Sequence, residues 1–336
     1  MSTRARVAAL VAVCLVAVAA TAAYLLASRD SQQRVLREAP AQATVSVATV
    51  QAGPRIVFRN TAIGPSYGRV AMVPLNDPGS ARALTDVSCD RVFATATRTL
   101  CLASDRGVVT TYTARVLTRG ESAPRDLPLT GIPSRARLSR DGSLAATTSF
   151  VSGDSYSTSG FSTRTVVTTL DGSSADLETF RLVHRGKTLA PADRNFWGVT
   201  FAADGDTFYA TASFGGQSWL SRGSLSRKTL TTLRSDAECP SLSPDGSRVA
   251  YKKRQDRAPG DWRIAVLDLA SGRETMLAED RSVDDQVEWL DDRRVIYGLP
   301  GEGAAAGETN VWAVPADGTG DPALLIEKAW SPAVVR

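Results

Sequence analysis

The chain has 336 residues, 39 Lys and Arg against 35 Asp and Glu, a formal net charge of +4 and a pI near 9.0. One histidine and four cysteines leave it poor in the side chains that acid–base catalysts and transition-metal sites draw on most often. The basic residues are nearly all Arg and are spread along the chain. The one tight run, Lys252-Lys253-Arg254, is short, lies at the end of a predicted strand and has no interleaved aromatics, so nucleic acid is not an expected partner.

Arg4 and Arg6 precede Val7 to Ala27, 21 residues without a charge, enough to span a bilayer. Basic residues on the N-terminal side keep that end cytoplasmic and place the rest outside. The chain therefore divides into a basic region (1–6), a signal anchor (7–27), a polar stalk rich in Ala, Gln and Pro (28–53) and an exported domain (54–336). A cleavable signal peptide is the competing reading, because Ala20-Thr21-Ala22 fits the small-residue cleavage pattern and cleavage would leave a secreted protein. Tyr24-Leu25-Leu26 carries the apolar run past that point, which favours the anchor. Cys14 lies too early, with more apolar chain after it, to read as an acylation site.

Beyond Pro54 a unit recurs. Arg55 to Arg59, Tyr67 to Val73 and Ala81 to Leu84 read as strands with no complete unit of their own. Val87 to Ala94 and Leu100 to Leu102 form a hairpin, followed by an outer pair, Val108 to Leu117 and Pro124 to Leu129. Leu138-Ser139-Arg140-Asp141-Gly142, Phe201-Ala202-Ala203-Asp204-Gly205 and Leu242-Ser243-Pro244-Asp245-Gly246 each lead into an alternating apolar run, and Trp289-Leu290-Asp291-Asp292-Arg293 does so with Asp291-Asp292 in place of Asp-Gly. Asp-Gly suits a tight hairpin, since Gly takes positive φ freely and the carboxylate can accept from backbone two residues on. A second strand pair follows each, as in Trp262 to Leu269, Ser271-Gly272, Arg273 to Leu277. Asp204 to Asp245 spans 41 residues and Asp245 to Asp291 spans 46, close to the ~40–45 of a four-stranded propeller blade. Asp141 to Asp204 is 63, stretched by the loop Ser152 to Ser162 and a polar linker, His184 to Asn195. Ala329-Trp330-Ser331-Pro332 starts a further hairpin whose remaining strands are those near Arg55, so both termini share one blade and no sheet edge is left open. The expected fold is all-β: a six-bladed β-propeller of four-stranded antiparallel blades behind an N-terminal transmembrane helix. Five blades begin near Val87, Arg135, Trp197, Cys239 and Val287.

The unit Leu242-Ser243-Pro244-Asp245-Gly246-Ser247-Arg248-Val249-Ala250-Tyr251, with the outer hairpin Leu267-Asp268-Leu269-Ala270-Ser271-Gly272, resembles the repeat of the TolB-like β-propeller family, in its free-standing, exported, actinobacterial type. The resemblance covers about Arg55 to Arg336 and implies the fold, not an activity. Arg29 to Pro54 is too short for the α/β domain that precedes the propeller of TolB itself.

Export places Cys89, Cys101 and Cys239 in a disulfide-permissive compartment. Cys89 and Cys101 flank one hairpin and are expected to form a disulfide, and Cys239 reads as a buried free thiol. Three cysteines and one histidine at irregular spacing match no metal-ligand pattern.

Candidate catalytic groups are few. Gly64-Pro65-Ser66-Tyr67-Gly68 matches the Gly-x-Ser-x-Gly pattern, but a nucleophile elbow needs a strand-to-helix turn and here two strands flank the motif, so a Gly/Pro turn is the plainer reading. His184 would be the only partner for Ser66. Asp280, Asp284, Asp285, Glu288, Asp291 and Asp292 could make an acidic rim for calcium, or be loop and turn residues. Lys252-Lys253-Arg254 reads as a solvated blade edge or loop. The tryptophans at positions 197, 219, 262, 289, 312 and 330 are expected to pack between blades. The long loop from Ser152 carries Asp154, Tyr156 and Phe161, a candidate binding loop. No catalytic residue, metal or cofactor is expected. The function expected is a non-catalytic extracytoplasmic scaffold, held in the cell membrane by one helix, whose rim or mouth meets another envelope protein, a peptide or a glycan. A calcium-dependent propeller hydrolase or lyase acting on sugars or lactones is the alternative.

Overall fold

A computed structural model describes residues 2–38, 42–107, 109–151, 162–302 and 307–336. The first segment is one helix, Thr3–Glu38, of which Thr3–Ser31 is long and apolar enough to cross a membrane.

Among the described residues the strands of the second unit form six sheets, which are the blades of a propeller. Blade 2 runs outward through Arg91–Ala94, Arg98–Arg106, Thr110–Thr118 and Arg125–Leu127. Blade 3 comprises Ile132–Leu138, Leu144–Val151, Ser162–Thr169 and Ser174–Asp176, and blade 4 Asn195–Phe201, Thr207–Phe214, Gln217–Ser224 and Thr229–Ser235. Blade 5 is Glu238–Leu242, Arg248–Lys253, Arg263–Asp268 and Glu274–Met276, and blade 6 Glu288–Asp291, Arg294–Pro300, Thr309–Pro315 and Ala323–Ile326. Blade 1 is built from both ends of the domain. Its innermost strand, Ala329–Val335, pairs antiparallel with Arg55–Asn60, in register from Arg55 opposite Val335 to Asn60 opposite Ala329, and Arg69–Pro74 and Arg82–Ser88 complete it. The ring is closed by hydrogen bonds within a sheet, as the split repeat implied.

Strand interiors are buried on both faces because each blade is covered by a neighbour on either side. In Arg248–Lys253, Ala250 joins Val287, Trp289 and Val295 toward blade 6, whereas Val249 and Tyr251 join Tyr209 and Leu220 toward blade 4. The same alternation gives one apolar cluster at every blade junction, and these six clusters are the core.

The Asp-Gly turns have the predicted chemistry. Gly142, Gly205 and Gly246 take φ of 73°, 71° and 73°. The Asp245 carboxylate accepts from the Ser247 amide at 3.0 Å, and the Ser243 hydroxyl accepts from the Arg248 amide at 3.0 Å. Asp291 accepts from the Arg293 amide at 2.8 Å, so Asp291-Asp292 replaces Asp-Gly in the last hairpin.

Two blades exceed four antiparallel strands. Arg181–His184 and Lys187–Leu189, within or beside the stretch read as a polar linker, form a hairpin that extends blade 4, with Arg181 to Val183 parallel to Thr229 to Thr231. The physical reason is Leu182, fully buried with Phe180 and Leu230; one apolar residue between polar ones is too short a pattern to read as a strand. Within the segment read as stalk, Thr44–Val45 pairs in parallel with Arg82 and Ala83 of blade 1, and the helix Val47–Gln51 buries Val50 against Val57 and Val70.

Candidate functional site: the channel and its mouth

The inner strands of the blades carry charged side chains to the channel. Arg91 comes from blade 2, Arg135 and Arg137 from blade 3, and Lys252 from blade 5. All point at one segment, 284–288, which enters the channel ahead of blade 6. Arg91 pairs with Asp285 at 3.2 Å, Arg135 with Asp284 at 3.4 Å, and Lys252 with Asp284 at 2.7 Å. Arg137 pairs with Glu288, donates to the Val287 carbonyl at 3.3 Å and lies 4.5 Å from the centre of the Phe93 ring. Gln286 donates to the carbonyls of Val199 at 3.2 Å and Pro240 at 3.1 Å. Segment 284–288 is thus pinned to blades 2, 3, 4 and 5. The space left among Arg91, Arg135 and Asp285 is about 20 Å³, room for about one water molecule.

Burial and neighbours set the ionisation of this cluster. Burial pulls the Arg91 guanidinium down to about 10, with Arg135 adding to the effect against Asp285 and Asp284. Burial would lower Arg135 too, but Cys239, Asp284 and Asp285 outweigh it and hold it above its ordinary value. Burial raises the Asp285 carboxyl despite Arg91 and Arg135. Asp284 goes the other way: burial opposes it, yet Lys252 and Arg135 keep its carboxyl below the usual range.

Above this lock the channel opens into a funnel of about 490 Å³ at the Asp-Gly turn end. Its walls are Phe93, Phe201 and Trp289 with the aliphatic ends of inner strands, and Arg137, Arg140 and Arg336 supply charge. Arg140 donates to the Pro244 carbonyl at 2.9 Å, and Arg336 to the Trp289 carbonyl at 2.7 Å. Glu288 is occupied by Arg137, and Asp245 is held by its own turn. The mouth is therefore a rigid, part-apolar bowl with a surplus of guanidinium groups.

The acidic rim does not assemble as an ion site. Asp280 pairs with Arg263 at 2.8 Å, Asp291 with Arg294 at 2.6 Å, and Asp292 accepts from the Asp245 amide at 3.1 Å; Asp284, Asp285 and Glu288 belong to the lock. Calcium needs six or more oxygens converging on one point. Among the described residues no group of three or more His, Cys, Asp or Glu is so placed.

Ser66 lies in a turn that runs directly into the strand Arg69–Pro74, so no strand-to-helix elbow forms. His184 is committed to blade 4, its Nδ1 3.0 Å from the Thr232 hydroxyl and its ring edge-on to Trp219 at 4.6 Å. Cys89 and Cys101 are joined by a disulfide, Cα atoms 5.4 Å apart. Cys239 is a buried free thiol. Asp154, Tyr156 and Phe161 lie outside the described residues.

The reading of Lys252-Lys253-Arg254 as a solvated edge is corrected. Lys252 is buried, with its ammonium 3.9 Å from the centre of the Trp262 ring and on Asp284, and Lys253 pairs with Asp236 at 3.5 Å and Glu274 at 3.4 Å. The strand carrying Lys252 and Lys253 is covered on both faces by neighbouring blades, whereas Arg254, just beyond it, is exposed as expected. Trp289 packs between blades 5 and 6 as expected, its indole donating to the Ser241 carbonyl at 2.8 Å. The lock itself escaped sequence reading, because Arg137 and Glu288 stand 151 residues apart and meet only once the ring closes.

No family model and no curated protein matches the sequence. Among solved structures, TolB from Acinetobacter baumannii aligns with a TM-score of 0.60 at 16% identity, over 84% of this chain and 67% of that one. A chain of a nidogen/laminin complex aligns at 0.55 and 11% identity, over 84% and 98%. A puromycin-hydrolyzing peptidase of Mycobacterium tuberculosis aligns at 0.50 and 14% identity, over 82% of this chain but only 43% of the peptidase. With the repeat, the closure and these likenesses together, the chain has a TolB-like six-bladed β-propeller fold.

Proposed function

We propose that the chain is a non-catalytic binding propeller, held in the cell membrane by its N-terminal helix with the ring on the extracytoplasmic side, and that the funnel at the Asp-Gly turn end receives a segment of another cell-envelope protein or peptide. The observation that carries this reading is the state of the channel carboxylates. Asp285 and Glu288 are buried against cations of the same ring, and Asp284 holds two of them through one oxygen, which stiffens the floor of the mouth and commits its carboxylates to structural pairs. What remains open is a concave surface with aromatic walls and outward arginines, suited to a chain segment bearing apolar and acidic or carbonyl groups. The helix and the basic residues before it support the tether.

The test is affinity capture of the tethered protein from intact cells, in the native form and with Arg140→Ala and Phe201→Ala in the mouth. Recovery of a defined envelope partner that is lost from the double variant supports the reading. Equal recovery with both forms, or no partner together with turnover in a sugar or lactone hydrolysis screen, overturns it.

A further inference from the structure

A second cleft, of about 210 Å³, opens between blades 1 and 2 at the same end of the ring. One wall is apolar: Val57, Val70 and Met72, all buried in the junction of the two blades. The other carries the guanidinium groups of Arg55, Arg98 and Arg119, with the carboxylate of Glu121 at its edge. Arg55 donates to the Gln51 carbonyl at 3.2 Å, and Arg119 donates to the same oxygen at 3.0 Å. Two like charges are thus held on one carbonyl. Among the described residues neither makes an ion pair with a carboxylate. Arg55 is 6% exposed and its Nε has no hydrogen-bond partner. Burial first, and Arg119 second, hold its guanidinium below its ordinary value.

Elsewhere in this propeller a buried cation is matched by an acid of the ring, as the channel lock shows. Here the match is missing, and an unpaired buried charge is costly. An incoming anion between Arg119 and the cleft-lining guanidinium of Arg55 would offset the repulsion between the two groups. A guanidinium fork suits the planar, two-oxygen geometry of a carboxylate, and the facing wall offers space for a small apolar group. We propose that this cleft binds an organic carboxylate carrying a short branched apolar group, the chemistry shared by the C-terminal residue of a peptide and by a free branched-chain acid.

The experiment uses the full chain in detergent and follows binding by calorimetry with four probes: the tripeptide Ala-Ala-Leu, its C-terminal amide, 4-methylpentanoate and inorganic phosphate. The tripeptide acid and 4-methylpentanoate should both saturate the protein at one site, and whichever binds more tightly identifies the source. The amide should bind at least tenfold more weakly than the acid. Arg119→Ala removes an exposed side chain, so the fold should persist by circular dichroism while affinity falls about tenfold, one lost charge-assisted contact. Arg294→Ala, a half-exposed surface residue of blade 6, should change nothing. Binding of the amide equal to the acid, binding of phosphate as tight as either carboxylate, no saturable binding, or an affinity unchanged by Arg119→Ala overturns the proposal.

Discussion

Replacing Glu288 by Leu removes the acid that Arg137 crosses the channel to reach. The two side chains are 7% and 11% exposed, so solvent does little to screen the pair. Arg137 already has an unpartnered Nε, and its remaining acceptors, the Val287 carbonyl at 3.3 Å and the Ser241 hydroxyl at 3.5 Å, are long. Breaking such a pair from one side costs about 3–5 kcal/mol. Replacing both partners by apolar residues of similar size, Arg137→Met with Glu288→Leu, removes two desolvated charges at once and should return stability to within about 1 kcal/mol of the native protein. Urea unfolding of the full chain in detergent, followed by tryptophan fluorescence, gives the double-mutant cycle. A coupling of about 3 kcal/mol or more is expected. A Glu288→Leu cost under about 1 kcal/mol, with the double variant at the simple sum of the singles, would refute the buried lock.

Acid should destabilise the repeat turns in a defined window. The Asp245 carboxyl is pulled down to about 2; burial opposes this, but the Ser243 hydroxyl and the Ser247 amide and hydroxyl prevail. A carboxyl depressed in the folded state adds stability above the unfolded value of about 3.9, and loses it as pH falls through the folded one. Asp284 acts in the same direction, so midpoints of thermal unfolding should fall between about pH 4 and pH 2, less steeply in Asp245→Asn; a midpoint flat across that range contradicts the assignment. Gly198 has φ +68°, and a Cβ there would stand 2.7 Å from the Cys239 Cα, so Gly198→Ala should cost about 1–3 kcal/mol by urea titration, and an unchanged midpoint would show that the inner strands of blades 4 and 5 do not approach so closely. Cys89→Ala with Cys101→Ala should cost about 3 kcal/mol, visible as the same loss when the native protein is reduced; indifference to reductant would count against the disulfide. Millimolar calcium should leave the melting temperature of the full chain unchanged, since the candidate ligands are already paired; a rise of several degrees would restore the acidic rim as an ion site.

The features legible in the sequence were those whose cause is local. Asp245 and Gly246 form their turn with residues two or three positions away, and the alternation through Val249 to Tyr251 needs only the strand's own period. The split blade was legible because Trp330-Ser331-Pro332 repeats a pattern already counted. What stayed hidden depends on distant chain. Lys252 looks exposed beside Lys253 and Arg254, and nothing in those residues shows that Asp284 and the Trp262 ring cover it. Arg137 and Glu288, or Arg55 and Arg119, acquire meaning only when the ring has brought their blades together. The hairpin at 181–189 was lost for a smaller reason, since Leu182 alone supplies most of its burial.

The central claim, that this ring works by receiving a partner segment in its mouth, is tested most directly by photo-crosslinking in intact cells. A photoreactive residue is placed at Arg140, in the funnel, or at Leu233, 48% exposed on the outer strand Thr229–Ser235 of blade 4. A discrete adduct with an envelope protein or peptide is expected from position 140 and none from position 233. Adducts from position 233 alone, or from neither position, would contradict it.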